Sequence, residues 1–241
     1  MSEFSIDAQT DYQIISADIT NSDRSPDFRV DIVKLIASFQ IFEHIDNPYL
    51  TAEVVFADTN NVVQAIDFQG GEKLTLSIAQ SEEANEGSFI TKEFLIDRIE
   101  KIIKIDEAAD SVMIHCMEYH TFKSSLQNIS RSYTGSAGSI INRIMNEYLE
   151  REVAVIGDQL INDLKVIIPN LNPIEACNWL KTRALSQTGM PYYLYSVLGT
   201  DNLIMRDLGS ILEDPVINTK VPFIYAPSVN TNSVNNIKYY N

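Results

Sequence analysis

The hydrophobic repeat changes once along this chain, near Phe122, from a period of two to helical spacing, and that change sets what the chain can build. Before it, Phe28, Val30 and Ile32 alternate with Arg29 and Asp31. Val33, Leu35, Ala37, Phe39 and Ile41 then resume on the opposite phase, so a bulge or sharp bend is expected near Ile32 and Val33. Asp46-Asn47-Pro48 reads as a turn and residues 49–57 as a further strand. Asp58 reads as the cap of a short helix carrying Val62, Val63 and Ile66, which Gln69-Gly70-Gly71 ends. Leu74, Leu76 and Ile78 alternate again. An acidic loop over residues 81–87 leads to two long strands, residues 89–104 and 111–122, joined around residues 106–110. About six strands and one short helix predict a small antiparallel barrel or sandwich.

After Phe122, Ala137, Ile140, Ile141, Ile144, Met145, Tyr148 and Leu149 recur at the spacing of a helix with one buried stripe, capped by Ser136 or Thr134. A second helix is announced by Asn172-Pro173-Ile174-Glu175, with Gly189 after its last turn and a core face of Ala176, Cys177, Leu180 and Ala184 beside Trp179. Residues 191–198 and 203–208 flank Gly199-Thr200-Asp201-Asn202 as an antiparallel hairpin. The fold class is therefore α+β, mainly β: a small antiparallel β-barrel followed by an α+β domain with two helices and a hairpin. Residues 1–27, closed by the turn Ser25-Pro26-Asp27, read as an N-terminal arm or leading edge strand. Residues 28–125 read as the barrel, and residues 126–241 as the α+β domain. The stretch after Asp214, with prolines and many Asn, reads as a partial strand layer or docking tail.

The chain's 241 residues, 45% of them hydrophobic, suffice for a sizeable core and exclude global disorder. Two cysteines, Cys116 and Cys177, form no disulfide framework, so a reducing compartment during folding is expected. Residues 1–20 lack the basic and apolar blocks of a signal peptide, and no run of about 18 apolar residues predicts a membrane span, so the chain reads as soluble with no membrane anchor.

Few residues of the sequence point to chemistry. His115, Cys116 and His120 cluster on one expected strand, but alternation sends neighbours to opposite faces, and Cys116 and His120 would stand roughly 13 Å apart, too far to share an ion. Structural histidines are the plainer reading. His44 with Asp46 as orienter would form a general base without a recognisable nucleophile. Gly135-Ser136-Ala137-Gly138 can hold an anion at a helix N-terminus, although small residues also make a tight helix start. Asp106, Glu107 and Asp110 are the paired carboxylates a cell-wall hydrolase would need, set in an expected turn where acids are simply solvated. Trp179 with Tyr119, Tyr133, Tyr148, Tyr192 and Tyr193 would make a sugar or base platform, but their spacing favours core packing. No nucleophile elbow, phosphate loop or dinucleotide fingerprint is present. The expectation is a non-enzyme with no catalytic, cofactor-binding or metal residues.

The charge is informative in its distribution. The net charge is −15, and residues 1–120 carry 8 basic and 23 acidic side chains against 10 and 10 in residues 121–241. The plain reading is a solvated acidic face. The sharper one is a surface that does not grip a passing polyanion.

Phe39-Gln40-Ile41-Phe42-Glu43-His44-Ile45, Asn47-Pro48-Tyr49-Leu50-Thr51-Ala52-Glu53-Val54, Asp58 and Gly71-Glu72-Lys73-Leu74 together resemble the opening barrel of baseplate hub proteins of contractile-tailed bacteriophages. The later block is similar to the same family: a helix from Gly138, a strand near Val166, Asn172-Pro173 through Trp179-Leu180, Pro191-Tyr192-Tyr193-Leu194-Tyr195 and Leu203-Ile204-Met205-Arg206-Asp207-Leu208. The resemblance covers about residues 28–210, and no catalytic residue carries over.

It implies a homotrimer whose barrels form a pseudo-six-fold ring between the six-fold tail tube and a three-fold central spike, with DNA as a non-adhering passenger. The same architecture occurs in type VI secretion spike proteins. Expected partners are the spike, the tail tube protein or a tube initiator, and the baseplate wedge proteins. The expected location is the virion's tail baseplate, after synthesis in the host bacterial cytoplasm. Outside the hub, a tail or baseplate adaptor is the alternative. Hub proteins of this kind are usually longer, with two complete barrels. Here the second barrel, within residues 126–241, is expected to be partial, so the resemblance implies a reduced hub, a hub whose remainder another chain supplies, or a single barrel whose six-fold match is made differently. In such a ring Glu82, Glu83 and Glu86 would face the lumen or a neighbour.

Overall fold

A computed structural model describes residues 12–21, 27–59, 61–80, 89–104, 110–157, 160 and 162–215. Seven antiparallel strands form one curled half-barrel sheet: β1 (Tyr12–Thr20), β2 (Arg29–Asp31), β3 (Ile36–Phe42), β4 (Thr51–Asp58), β5 (Lys73–Gln80), β6 (Ile90–Lys104) and β7 (Asp110–Glu118). Their order across the sheet is β2-β1-β5-β6-β7-β4-β3. Alternate burial along β4 and β7 turns Ala52, Val54, Phe56, Val112, Ile114 and Cys116 inward, where they meet Leu74, Leu76 and Phe94. Each fully buried Val, Leu, Ile or Phe among these contributes roughly 1.5–3 kcal/mol.

The two outermost strands, β2 and β3, are neighbours in sequence, joined through Ile32 and a 3₁₀ turn at Val33–Leu35. Both Leu35 N–H and Ile36 N–H donate to the Ile32 carbonyl. This turn is the bend expected from the phase slip at Ile32 and Val33, and it obliges the sheet to roll until its edges approach. No hydrogen-bonded ladder joins β2 to β3 among the described residues, so the expected barrel is a curled, open half-barrel. Along that seam Phe28, Val30, Val33, Leu35, Phe39 and Ile41 are only partly buried.

Other boundaries also differ from expectation. Of the two readings of residues 1–27, arm or leading edge strand, Tyr12–Thr20 takes the strand: β1 pairs with β5 along its length and with β2 at Asp18, Ile19 and Thr20. Arg29 clamps it with two 2.8 Å hydrogen bonds to the Asp18 carboxylate. The strand expected through residue 122 stops at Glu118, and helix α2 (Tyr119–Ser125) follows. Helix α1 (Val62–Ile66) is where it was expected, with the Asp58 carboxylate accepting from the Val62 and Val63 amides at 2.6 and 3.2 Å.

The remaining residues build a second layer from helices α3 (Ala137–Leu149), α4 (Pro173–Lys181) and α5 (Leu208–Leu212) with strands β8 (Ser132–Ser136), β9 (Val153–Ile156), β10 (Asp163–Ile167), β11 (Tyr192–Tyr195) and β12 (Leu203–Asp207). Ser136 caps α3 by accepting from Ser139 N–H, and Asn172 caps α4 by accepting from Glu175 N–H. Helix α4 ends at Lys181, ahead of the expected stop near Gly189, in a Thr182 cap. The hairpin β11-β12 is antiparallel as expected, and β9 adds to β12 in parallel, a pairing with no local sequence signal. Ile140, Ile141, Ile144, Met145, Cys177 and Leu180 fill a core distinct from that of the sheet. Ser25, Pro26, Glu82, Glu83, Glu86, Asp106, Glu107 and the chain from residue 216 lie outside the described residues.

Candidate functional site

The two layers meet at a joint of charged and polar groups drawn from distant segments. Glu118 stands at the end of β7 with its side chain 6% exposed. Its carboxylate accepts from the Leu50 amide at 2.9 Å and from Arg151 Nη1 at 3.0 Å. Arg151 follows α3 and also donates through Nε and Nη2 to the Asp201 carbonyl at 3.0 and 2.7 Å and to Ser196 Oγ at 3.3 Å. Lys92 of β6 reaches the same turn, donating to the Thr200 carbonyl and to the Asp201 carboxylate at 2.9 and 2.7 Å. The Lys92 ammonium holds the Asp201 carboxyl below its usual range, chiefly through that hydrogen bond.

The turn between β3 and β4 touches the hairpin and α4. Leu198 N–H donates to the Glu43 carboxylate, Ser196 N–H to the Asn47 carbonyl, and Lys181 to the Asp46 carboxylate. A cleft of about 680 Å³ opens beside Arg151, lined by Lys92, Glu118, His120, Asn146, Arg151 and Asp201. Its cationic groups are already engaged with Glu118 and Asp201, so the cleft is the open side of a structural joint. His120 sits there with its pKa lowered, first by burial and then by the nearby Arg151 charge.

The candidate chemical groups are dispersed. His115 and Cys116 occupy consecutive positions of β7, with Cys116 fully buried and its thiol pushed up to about 12 by burial and by Asp97. His115 Nδ1 lies 3.5 Å from Asp97, while His120 belongs to α2 rather than to the strand. Among the described residues no group of three His, Cys, Asp or Glu side chains can hold a metal ion. His44 Nδ1 accepts from the Asp46 amide at 3.1 Å, and the Asp46 carboxylate is taken by Lys181, so Asp46 does not orient an imidazole base. Asp110 opens β7 opposite Asp58 and Lys104. Gly135-Ser136-Ala137-Gly138 is a tight helix start: a Cβ on Gly138 would stand 2.8 Å from Leu160 and 3.0 Å from Val155. Tyr133 and Tyr192 are buried in the second core, and Trp179 stacks under Arg183 at 3.6 Å, so no aromatic platform is assembled.

Sequence reasoning missed the joint, and it missed Glu72, only 2% exposed, whose carboxylate gathers Asn21 Nδ2 and the Gln69 and Gly70 amides, each at 3.0 Å. No described helix is long and apolar enough to cross a membrane.

No protein-family model matches the chain, and no curated protein matches it significantly. Solved structures that it resembles in fold include a tail protein from Neisseria meningitidis, with 10% identity over 80% of this chain and 50% of that one and a TM-score of 0.45. A 43 kDa tail protein of prophage MuSo2 from Shewanella oneidensis gives 10% identity over 79% and 53%, with a TM-score of 0.46. An E. coli component of the type VI secretion system, itself structurally similar to the T4 bacteriophage tail proteins gp27 and gp5, gives 7% identity over 83% and 47%, with a TM-score of 0.41. The chain spans about half the length of these proteins. At 7–10% identity no residue role transfers.

Proposed function

We propose that this protein is a non-enzymatic structural component of a contractile phage tail baseplate. Three copies form a hub ring, pseudo-six-fold in its barrels, that joins the six-fold tail tube to the three-fold central spike and leaves a channel for DNA. Its partners on this reading are the spike, the tube protein or tube initiator, and the baseplate wedge proteins, and its place is the virion.

The observation that carries the reading is the incomplete core of the half-barrel. Phe28, Val30, Val33, Leu35, Phe39 and Ile41 stay half-buried along one seam, which suits a sheet finished by a neighbouring subunit better than a free-standing barrel. The charge distribution agrees: 23 acidic against 8 basic residues in the first 120 residues make a poor surface for phosphate and a good wall for a channel that must not hold its cargo.

The test is the mass of the purified chain across a concentration series by sedimentation, alone and with a three-fold spike protein. A species of three times the 27.2 kDa chain is expected. A chain that remains monomeric at high concentration and with the spike, or that forms only even-numbered assemblies, overturns the hub and favours a peripheral adaptor.

A further inference from the structure

A sheet with one face on a core and the other in water alternates apolar with polar side chains. The three-stranded sheet of the second layer does not follow that rule. Val153, Tyr192, Leu194, Leu203 and Met205 face the core. On the outer face the cross-strand register sets two rows: Tyr195, Ile204 and Ala154, then Tyr193, Arg206 and Ile156. None of the six is buried, and Arg206 is the one charged side chain among them.

Arg206 does not point to water. Its Nε and Nη2 donate to the hydroxyl and carbonyl of Ser210 at 3.1 and 2.7 Å, and Nη1 and Nη2 donate to the Asp214 carboxylate at 2.6 and 2.7 Å. This clamp holds α5 and Asp214 over the outer face. The cover is incomplete: none of the five residues of α5 is buried, Leu212 is 71% exposed and Ile156 43%. A cleft of about 310 Å³ remains beside Asp214, lined by Ile211, Tyr195, Val197 and, from the turn between β3 and β4, Ile45.

The described residues end in this place, at Pro215. The ten that follow, Val-Ile-Asn-Thr-Lys-Val-Pro-Phe-Ile-Tyr, include Val216, Ile217, Val221, Phe223, Ile224 and Tyr225. Lys220 and Lys238 are the only charged residues after Pro215, so all 33 acidic side chains of the chain precede this stretch. Six residues, from Pro215 to Val221, extend over about 20 Å, and three strands are only about 10 Å across, so the apolar run reaches the open part of the face from the Asp214 clamp.

We propose that residues 216–225 fold back over the outer face of the β11-β12-β9 sheet and complete the cover that α5 begins, with Val221, Phe223 and Ile224 on the side chains α5 leaves open. Three observations select this chain's own segment as the occupant. It starts at the cleft, and so short a tether gives an effective concentration on the order of millimolar. Its charge is positive on an otherwise acidic chain, which draws it inward. Pro222 would interrupt a strand ladder, whereas packing on a face requires no ladder N–H. The cover belongs to the single chain and holds with or without the hub.

Lys220 makes the test direct, because trypsin cuts the bond after it. In the full-length chain at low concentration, that bond is expected to be cut about tenfold or more slower than in a free peptide of residues 214–226. Phe223→Ser with Ile224→Ser removes the apolar anchors without adding charge and is expected to restore the peptide's rate. Ile156→Lys and Tyr193→Lys, each on the face itself, are expected to do the same, with unchanged emission from Trp179 confirming that the second layer is folded. Hydrogen exchange of the Phe223→Ser, Ile224→Ser chain reads the face without altering it: residues 153–156 and 192–195 are expected to exchange faster than in the wild type. Cleavage of the wild-type chain at the peptide's rate overturns the docking, as does slow cleavage that the two serines leave unchanged. Slow cleavage lost with the two serines but kept in a folded face variant, or lost with no change of exchange in the two strands, puts the segment elsewhere and overturns the face. Protection that grows with protein concentration assigns the segment to a second copy and overturns the fold-back.

Discussion

Arg151, 5% exposed, and Glu118, 4% exposed, bind the two layers through a charge pair with additional backbone and hydroxyl partners. Removing one member leaves the other buried and unpaired, which in proteins costs about 3–5 kcal/mol. Arg151→Met should therefore lower the unfolding free energy measured in urea by an amount in that range, and adding Glu118→Gln should recover part of the loss. His120, in the same cleft, has a folded pKa below its ordinary value. The unfolded chain then takes up the proton first, so stability is full above about pH 6.5 and falls as the pH drops toward the folded pKa. Thermal melts across this range should show a slope that His120→Gln flattens, and an unchanged slope would remove His120 as its source. None of this was legible beforehand. Leu50, Glu118, Arg151 and the pair Ser196 and Asp201 come from four separate segments, and no short-range pattern marks residues that meet only after two layers dock.

Helices and hairpins were legible where the signal is local. Asn172-Pro173 with Glu175 marks the start of α4 because the cap, the proline and the acidic first turn act within four residues, and the structure has the Asn172 side chain accepting from Glu175 N–H at 2.9 Å. Asn172 also accepts from Ser124 Oγ at 3.2 Å, tying α4 to α2. Asn172→Ala should thus cost about 1–2 kcal/mol in chemical denaturation, toward the upper end of cap losses. The same local logic failed at Tyr119, where β7 gives way to α2, and it left Tyr12–Thr20 open between arm and strand. That stretch shows a short apolar run, and its status as a strand depends on β5, sixty residues on. The parallel pairing of β9 with β12 is likewise set by partners some fifty residues apart.

At the scale of the molecule, the mainly β class with a curled sheet and an α+β layer followed from the change of period near Phe122, and the bend at Ile32 and Val33 became the turn that rolls the sheet. The openness of that sheet did not follow, because alternation reports which face of a strand is buried and says nothing about whether its edge finds a neighbour. The seam is where the proposed function lies: half-buried apolar side chains along it, in an acid-rich half of a chain with net charge −15, suit association around a channel. The most direct measurement is electron microscopy of the purified chain at high concentration, with and without a three-fold spike protein. Class averages with three-fold symmetry and a central pore lined by the acid-rich half are expected. Featureless monomers under both conditions, or rings whose acid-rich half faces outward into solvent, would contradict it.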